Sequence, residues 1–257
     1  MSRIKSLATV SLMAICLSAP AYAGSVTTFA TTTDVASDDI TWTDNGTSGL
    51  LNTANTTTGN QVTFQYLHIA GLSSSLTGSL NAYELINGGA GVATNEEATQ
   101  SPDGTTDTQV INSAFTISYA LATPIKSGNV FLSNLLTATI TPEKSGGSLT
   151  GTDGGSAATY SASTNTKNFY LVTFTSDFLK FTTGSTFSVS LAFNSVTPQF
   201  TLDEAGAFVS SFTADLVGSF AANPVPTAIP EVPSAALLII GMAAVGVGAR
   251  RRAAKNA

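Results

Sequence analysis

The stretch Phe187-Ser188-Val189-Ser190-Leu191-Ala192-Phe193 alternates large apolar with small side chains. Successive side chains of a strand point to opposite faces, so Phe187, Val189, Leu191 and Phe193 fall on one buried face and Ser188 and Ser190 on the other. The same period of two runs through Val62-Thr63-Phe64-Gln65-Tyr66 and Phe208-Val209-Ser210-Ser211-Phe212. Residues 168–174 and 130–140 are apolar on both faces, which suits strands covered on both sides. Further strands are expected near 25–30, 38–43, 75–84, 110–122 and 214–222, and no segment between residues 24 and 222 reads as a helix. The expected fold is all-β, an antiparallel β-sandwich of about ten strands.

Two Gly-, Ser- and Thr-rich stretches, 87–108 and 144–167, interrupt this pattern and are predicted to be long mobile loops of a single body spanning 24–222. No fixed-period repeat is present, which argues against a solenoid or propeller.

The composition sets the class of partner. Of 257 residues 43% are hydrophobic and only 10% charged, with 14 Phe and 22 Gly, so a packed body is expected and a disordered acidic chain is not. The body carries Lys126, Lys144, Lys167 and Lys180 and no Arg, against nearly all of the chain's 16 Asp and Glu. Nucleic acid and anionic lipid need basic clusters, so neither is an expected partner of this surface.

The two ends read as addresses. Residues 1–23 combine Arg3 and Lys5, an apolar run from Leu7 to Leu17 and a small-residue site at Ala21-Tyr22-Ala23, the three parts of a secretory signal peptide cleaved after Ala23. Ile15 before Cys16 is too bulky for lipoprotein processing. Cleavage also removes the only Cys, leaving an exported body without disulfide or thiolate metal site. At the other end a Pro-rich spacer, 223–233, leads into an apolar segment, 234–249, and then Arg250-Arg251-Arg252 within the basic tail 250–257. As a helix that segment spans about 24 Å, a short transmembrane span, and the arginines keep the extreme C-terminus in the cytoplasm. Body and signal peptide then agree on topology.

The order Pro230-Glu231-Val232-Pro233-Ser234, short apolar segment, Arg cluster resembles the PEP-CTERM sorting signal of proteins exported by polysaccharide-producing Gram-negative bacteria. Val232 interrupts the family's Pro-Glu-Pro. The resemblance covers the C-terminal tail. It implies a transient inner-membrane anchor, cut near Pro230, Glu231 and Pro233 by an exosortase-type membrane protease, and release to the cell surface or extracellular matrix. A permanent membrane anchor and a hydrophobic docking helix are the other readings of the same segment. Residues 174–181 and 210–214 also loosely resemble the β-rich bodies of such proteins, without carrying over any functional residue.

Candidate chemistry within the body is sparse. His68 is the only histidine and sits in phase with Phe64 and Tyr66, the pattern of a strand-packed side chain; Gly-x-Ser-x-Gly is absent, so no Ser-His-Asp triad is assigned. Paired carboxylates for glycoside hydrolysis are not visible in sequence, and most acids stand in turn contexts. Calcium is the metal best suited to the loops with Asp38-Asp39, Asp44-Asn45-Gly46, Asp103-Gly104-Thr105-Thr106-Asp107 and Asp153, yet none has EF-hand spacing and these residue types also make turns. No catalytic residue, metal ligand or cofactor is assigned. The expected function is that of a noncatalytic surface or exopolysaccharide-matrix protein; the alternative is a carbohydrate-binding module using Trp42 or Tyr83, with extracellular polysaccharide as partner.

Overall fold

The computed structural model describes residues 27–35, 37–142, 147–164, 170–182 and 186–227. The signal-peptide site Ala21 and Ala23, the sorting motif Pro230, Glu231 and Pro233, the apolar segment and Arg250, Arg251 and Arg252 lie outside them. Within them the chain is all-β. The strands are β1 (Thr27–Asp34), β2 (Ile40–Asp44), β3 (Gly49–Thr53), β4 (Asn60–Tyr66), β5 (Ser79–Ile86), β6 (Val92–Thr94), β7 (Thr99–Gln100), β8 (Thr106–Ile111) and β9 (Phe115–Ser127). They continue with β10 (Val130–Pro142), β11 (Gly147–Thr152), β12 (Ala158–Ser163), β13 (Tyr170–Thr175), β14 (Leu179–Lys180), β15 (Ser188–Thr197), β16 (Phe212–Ala222) and β17 (Val225–Pro226).

Hydrogen bonding joins 15 of these strands into one antiparallel sheet in the order β13-β10-β9-β5-β4-β1-β16-β15-β12-β11-β8-β7, with β2, β3 and β6 branching from β16. The sheet curls until strands distant in that order meet. Phe115 on β9 and Tyr160 on β12 stand ring to ring at 5.5 Å. Beside them, the Thr164 hydroxyl donates to the Val172 carbonyl at 2.7 Å and accepts its N–H at 3.1 Å, so one side chain ties the end of β12 to β13 where no ladder exists. On the other side, Thr94 of β6 donates to the Val110 carbonyl of β8 at 2.8 Å. These contacts fold one sheet over a continuous core.

The quoted alternation holds: Phe187, Val189, Leu191 and Phe193 are buried while Ser190 is exposed and Ser188 half-buried. Phe208–Phe212 is the exception, an irregular segment leading into β16. Among the described residues the strand count is corrected upward from about ten to 17: the two stretches expected to be loops contribute β6, β7, β8, β11 and β12, and β3, β14 and β17 are short strands with no apolar alternation of their own. Over 147–163 the expected loop is a hairpin, Ser148 opposite Ser161 and Gly151 opposite Ala158. Glycine in a strand normally signals a break, but here it vacates space for a ring. A Cβ on Gly147 would lie 2.0 Å from the Tyr160 hydroxyl oxygen, and one on Gly49 2.0 Å from the Trp42 indole.

Two bulges reset the alternation. At Phe29 the pairing of β1 with β16 slips, and Phe29 and Ala30 are both buried. In β10 the register shifts between Leu132 and Leu136, burying both Leu135 and Leu136. Asp177 Oδ2 accepts the Ser133 and Asn134 N–H groups that this irregularity frees, each at 2.8 Å.

The Gly49 vacancy makes a prediction. Gly49→Ala is expected to cost about 2–3 kcal/mol by denaturant titration, because one methyl displaces the indole, and to move the emission of the sole Trp to the red. Unchanged stability and emission would show that the ring does not need this space.

Candidate functional site

Polar side chains gather in the core where β1, β4, β5 and β9 lie side by side. Asn60 on β4 is opposite Glu84 on β5, and Glu84 is opposite Tyr119 on β9, so the three form one row across the buried face. Thr32 and Asp34 come from β1, and Asp39 from the turn before β2. Glu84 is fully buried and neither carboxyl oxygen has a hydrogen-bond partner; Asp39 is 5% exposed and its Oδ2 is likewise unpartnered. The Asn60 amide donates to the Asp39 carbonyl, and the Thr32 hydroxyl accepts the Gly218 N–H at 2.8 Å.

Among the described residues no Lys or Arg stands against these acids, and their carboxyls are pushed toward the protonated form. Burial, a hydrogen bond with Asp34 and then the charges of Asp34, Glu84 and Asp215 push Asp39 up to about 8. Burial pushes Glu84 up to about 7; the Tyr119 hydroxyl partly offsets this and the Asp34 charge adds to it. Burial, followed by Glu84, raises the Tyr119 hydroxyl well above its ordinary range. The arrangement favours the protonated over the charged form of each group. None of these groups lines the two cavities described below.

A similar pairing occurs at the β8–β11 edge, where Asp107 is fully buried and accepts from Gln100 Nε2 at 3.0 Å. Burial raises its carboxyl, Gln100 counteracts, and neighbouring Asp153 adds to the rise. The other acids of the calcium-like loops act within turns. Asp103 Oδ1 accepts from the Ser101 hydroxyl at 2.5 Å and from the Thr105 hydroxyl at 2.8 Å, which lowers its pKa, and Asp44 Oδ1 accepts the Gly46 N–H at 2.7 Å. Among the described residues no group of three or more His, Cys, Asp or Glu is arranged to hold a metal ion.

His68 is a correction: β4 ends at Tyr66, and His68 is exposed in the following turn at φ 55°. It lines an open cavity of about 480 Å³ with Tyr66, Ile69, Leu72 and Thr77. Trp42 is 1% exposed, stacked on Phe212, and donates from Nε1 to the Val209 carbonyl at 2.8 Å. A second cavity of about 260 Å³ opens beside it between Thr43, Thr197, Pro198 and Ser211, but the indole offers it no free face. Tyr83 stands on the outer surface, 37% exposed.

The sequence reading missed Glu84 as a core residue. In Ala82-Tyr83-Glu84-Leu85-Ile86 both phases of the alternation carry apolar residues, and the phase with Tyr83 and Leu85 competes with the true one. No protein-family model matches the chain, and comparisons with curated proteins and with solved structures find no match.

The acid cluster fixes the sign of the pH dependence. Between the ordinary carboxylate value of about 4 and the raised values of about 7 and 8, the folded chain binds more protons than the unfolded one. This contribution to stability is fully present near pH 4 and is lost as pH rises through 8. Melting temperature should therefore fall from pH 5 to pH 9, and Glu84→Gln should raise stability at pH 8 by on the order of 2 kcal/mol and flatten the profile. A profile that rises over this range, in either chain, would contradict the assignment.

Proposed function

We propose that this chain is a noncatalytic exported protein of the cell surface or exopolysaccharide matrix, held for a time in the inner membrane by its C-terminal segment and released by an exosortase-type protease. The observation that carries this reading is the order Pro230-Glu231-Val232-Pro233, apolar 234–249, Arg250-Arg251-Arg252. The N-terminal signal with Ala21 and Ala23 supports the same direction of export. A body without disulfides and with few charges suits an extracytoplasmic matrix, where hydroxyl-rich strand faces can hydrogen-bond sugar. In this reading the curled sheet serves as a β-sandwich-like body whose two halves pack face to face, and 234–249 crosses the bilayer as a short helix. Among the described residues no helix is long and apolar enough to cross a membrane.

The carbohydrate-binding alternative is weakened at Trp42, because a sugar platform needs an exposed ring face and this indole is 1% exposed. A permanent anchor differs from a sorting signal in what reads it. A bilayer senses apolar length and flanking charge, whereas a protease reads the motif.

Changing Pro230, Glu231 and Pro233 together to Ala is expected to leave the protein uncleaved in the inner membrane of its host, with an intact mass greater by the tail beyond the cut. Mature protein of unchanged mass and location after the triple change would sink the sorting reading and leave a tethered surface protein.

A further inference from the structure

We propose that one rim of the curled sheet faces the bilayer, with the tip of the β9–β10 hairpin, Val130 and Phe131, seated among the lipid headgroups. The proposal rests on the anchored reading above and adds the orientation and contact surface of the body.

The strand registers define the rim. β16 ends at Ala222 opposite Thr27, where β1 begins, and the Thr27 hydroxyl donates to Asn223 Oδ1 at 3.4 Å. β4 ends there at Tyr66, opposite Ala30, and β5 begins there at Ser79, opposite Gln65. β9 pairs with β5 only as far as Leu121, opposite Ala82, and its last residues, 125–127, pair with β10 alone. β10 returns from beyond the rim and meets β13 only from Thr137 onward. Residues 122–134 therefore form a hairpin arm at the rim at which the described chain both begins and ends, its tip the paired segment 125–132.

The base of the arm is held and its tip is apolar. Tyr66 donates to the Leu135 carbonyl at 2.6 Å, and Asp177 binds the Ser133 and Asn134 N–H groups. Beyond this clamp, Phe131 is 66% and Val130 59% exposed, with Lys126 opposite Phe131 across the ribbon. Val225, 58% exposed, lies on the same rim, opposite Lys180 in the β14–β17 pair. Three of the five exposed large hydrophobic side chains thus share one end of the molecule, as do both lysines among the described residues.

Near the tip acids are few: 122–134 and 223–227 carry no Asp or Glu, and Asp177 beside them is engaged by two backbone N–H groups. A surface of apolar tips flanked by lysines suits the interface between water and lipid.

Chain length selects the bilayer as the occupant. The backbone between Thr227 and Ser234, where the apolar segment starts, can span no more than about 24 Å. The arm projects about 13 Å, the four-residue length of β10 from Asn134 to Val130. A body tethered that closely brings the tip within reach of the surface in which its own tail is inserted.

The test uses the full chain carrying Cys16→Ser, with single cysteines at Phe131, at exposed Thr47 on the opposite rim, or at Leu238 in the tail, each labelled with a polarity-sensitive fluorophore. Chains are reconstituted into vesicles of phosphatidylethanolamine and phosphatidylglycerol containing a spin-labelled lipid quencher. Labels at 131 and 238 are expected to lose at least about twofold in emission while the label at 47 is unchanged. Quenching at 238 with water-like emission at 131 would retain the anchor and overturn the docking. A blue-shifted but unquenched label at 131 would place the tip on a second copy of the chain and also overturn it. An unquenched label at 238 would refute the anchor, and quenching at 131 would then still decide the docking by itself. As a second variant, Val130→Asp with Phe131→Asp, both at exposed positions, is expected to abolish quenching of a label at Val225 without altering circular dichroism; persistence of that quenching would exclude the tip as the contact.

Discussion

Phe220 joins the two halves of the curled sheet. It projects from β16, whose backbone is paired with β15 on one edge and with β1 and β2 on the other, and its ring meets Tyr119 of β9 at 5.4 Å and Phe174 of β13 at 6.0 Å. Phe174 in turn contacts Phe29, Phe181 and Phe187 edge-on or tilted. A chain whose only Cys is Cys16 has no disulfide to close a sheet of this size, so ring packing across the fold has to do so. Glycine vacancies beside Trp42 and Tyr160 belong to the same solution, because each large ring leans over the neighbouring strand only where that strand lacks a side chain.

That solution explains which parts of the fold were legible. The alternation from Phe187 to Phe193 belongs to a strand with one apolar phase, and both its state and its register follow from period two. In sequence the hairpin of β11 and β12 looks like a loop because Gly147 and Gly151 lack side chains, and the residues that make them compatible with a strand, Tyr160 and Phe200, are distant in sequence or on the partner strand. His68 was placed on a strand because an alternating pattern carries no mark of its last residue. The turn at positive φ that ends β4 left no Gly or Asn there to announce it.

The acid cluster was hidden for a different reason. A sequence reveals that acids are present and whether they stand in turns, but burial of Glu84 depends on which of two apolar phases faces the core. Asp39 joins it only because β1 and β2 share one edge of β16, and the last residue of the turn between them is buried while Val35 and Asp38 are exposed. The rim was equally invisible. Lys126 and Lys180 are far apart in the chain, and only the antiparallel registers carry them, with Phe131 and Val225, to one end.

Acids far outnumber lysines in the body, and evenly spread they would drive it from any anionic surface. At physiological ionic strength charges interact over about 8 Å, so the groups nearest a surface govern approach and remote ones are largely screened. At the end that carries the hairpin, 122–134 and 223–227 hold no Asp or Glu, Asp177 is engaged by two backbone N–H groups, and Lys126 and Lys180 are exposed. In the proposed orientation an acidic body thus meets the surface through the end where its acids are fewest.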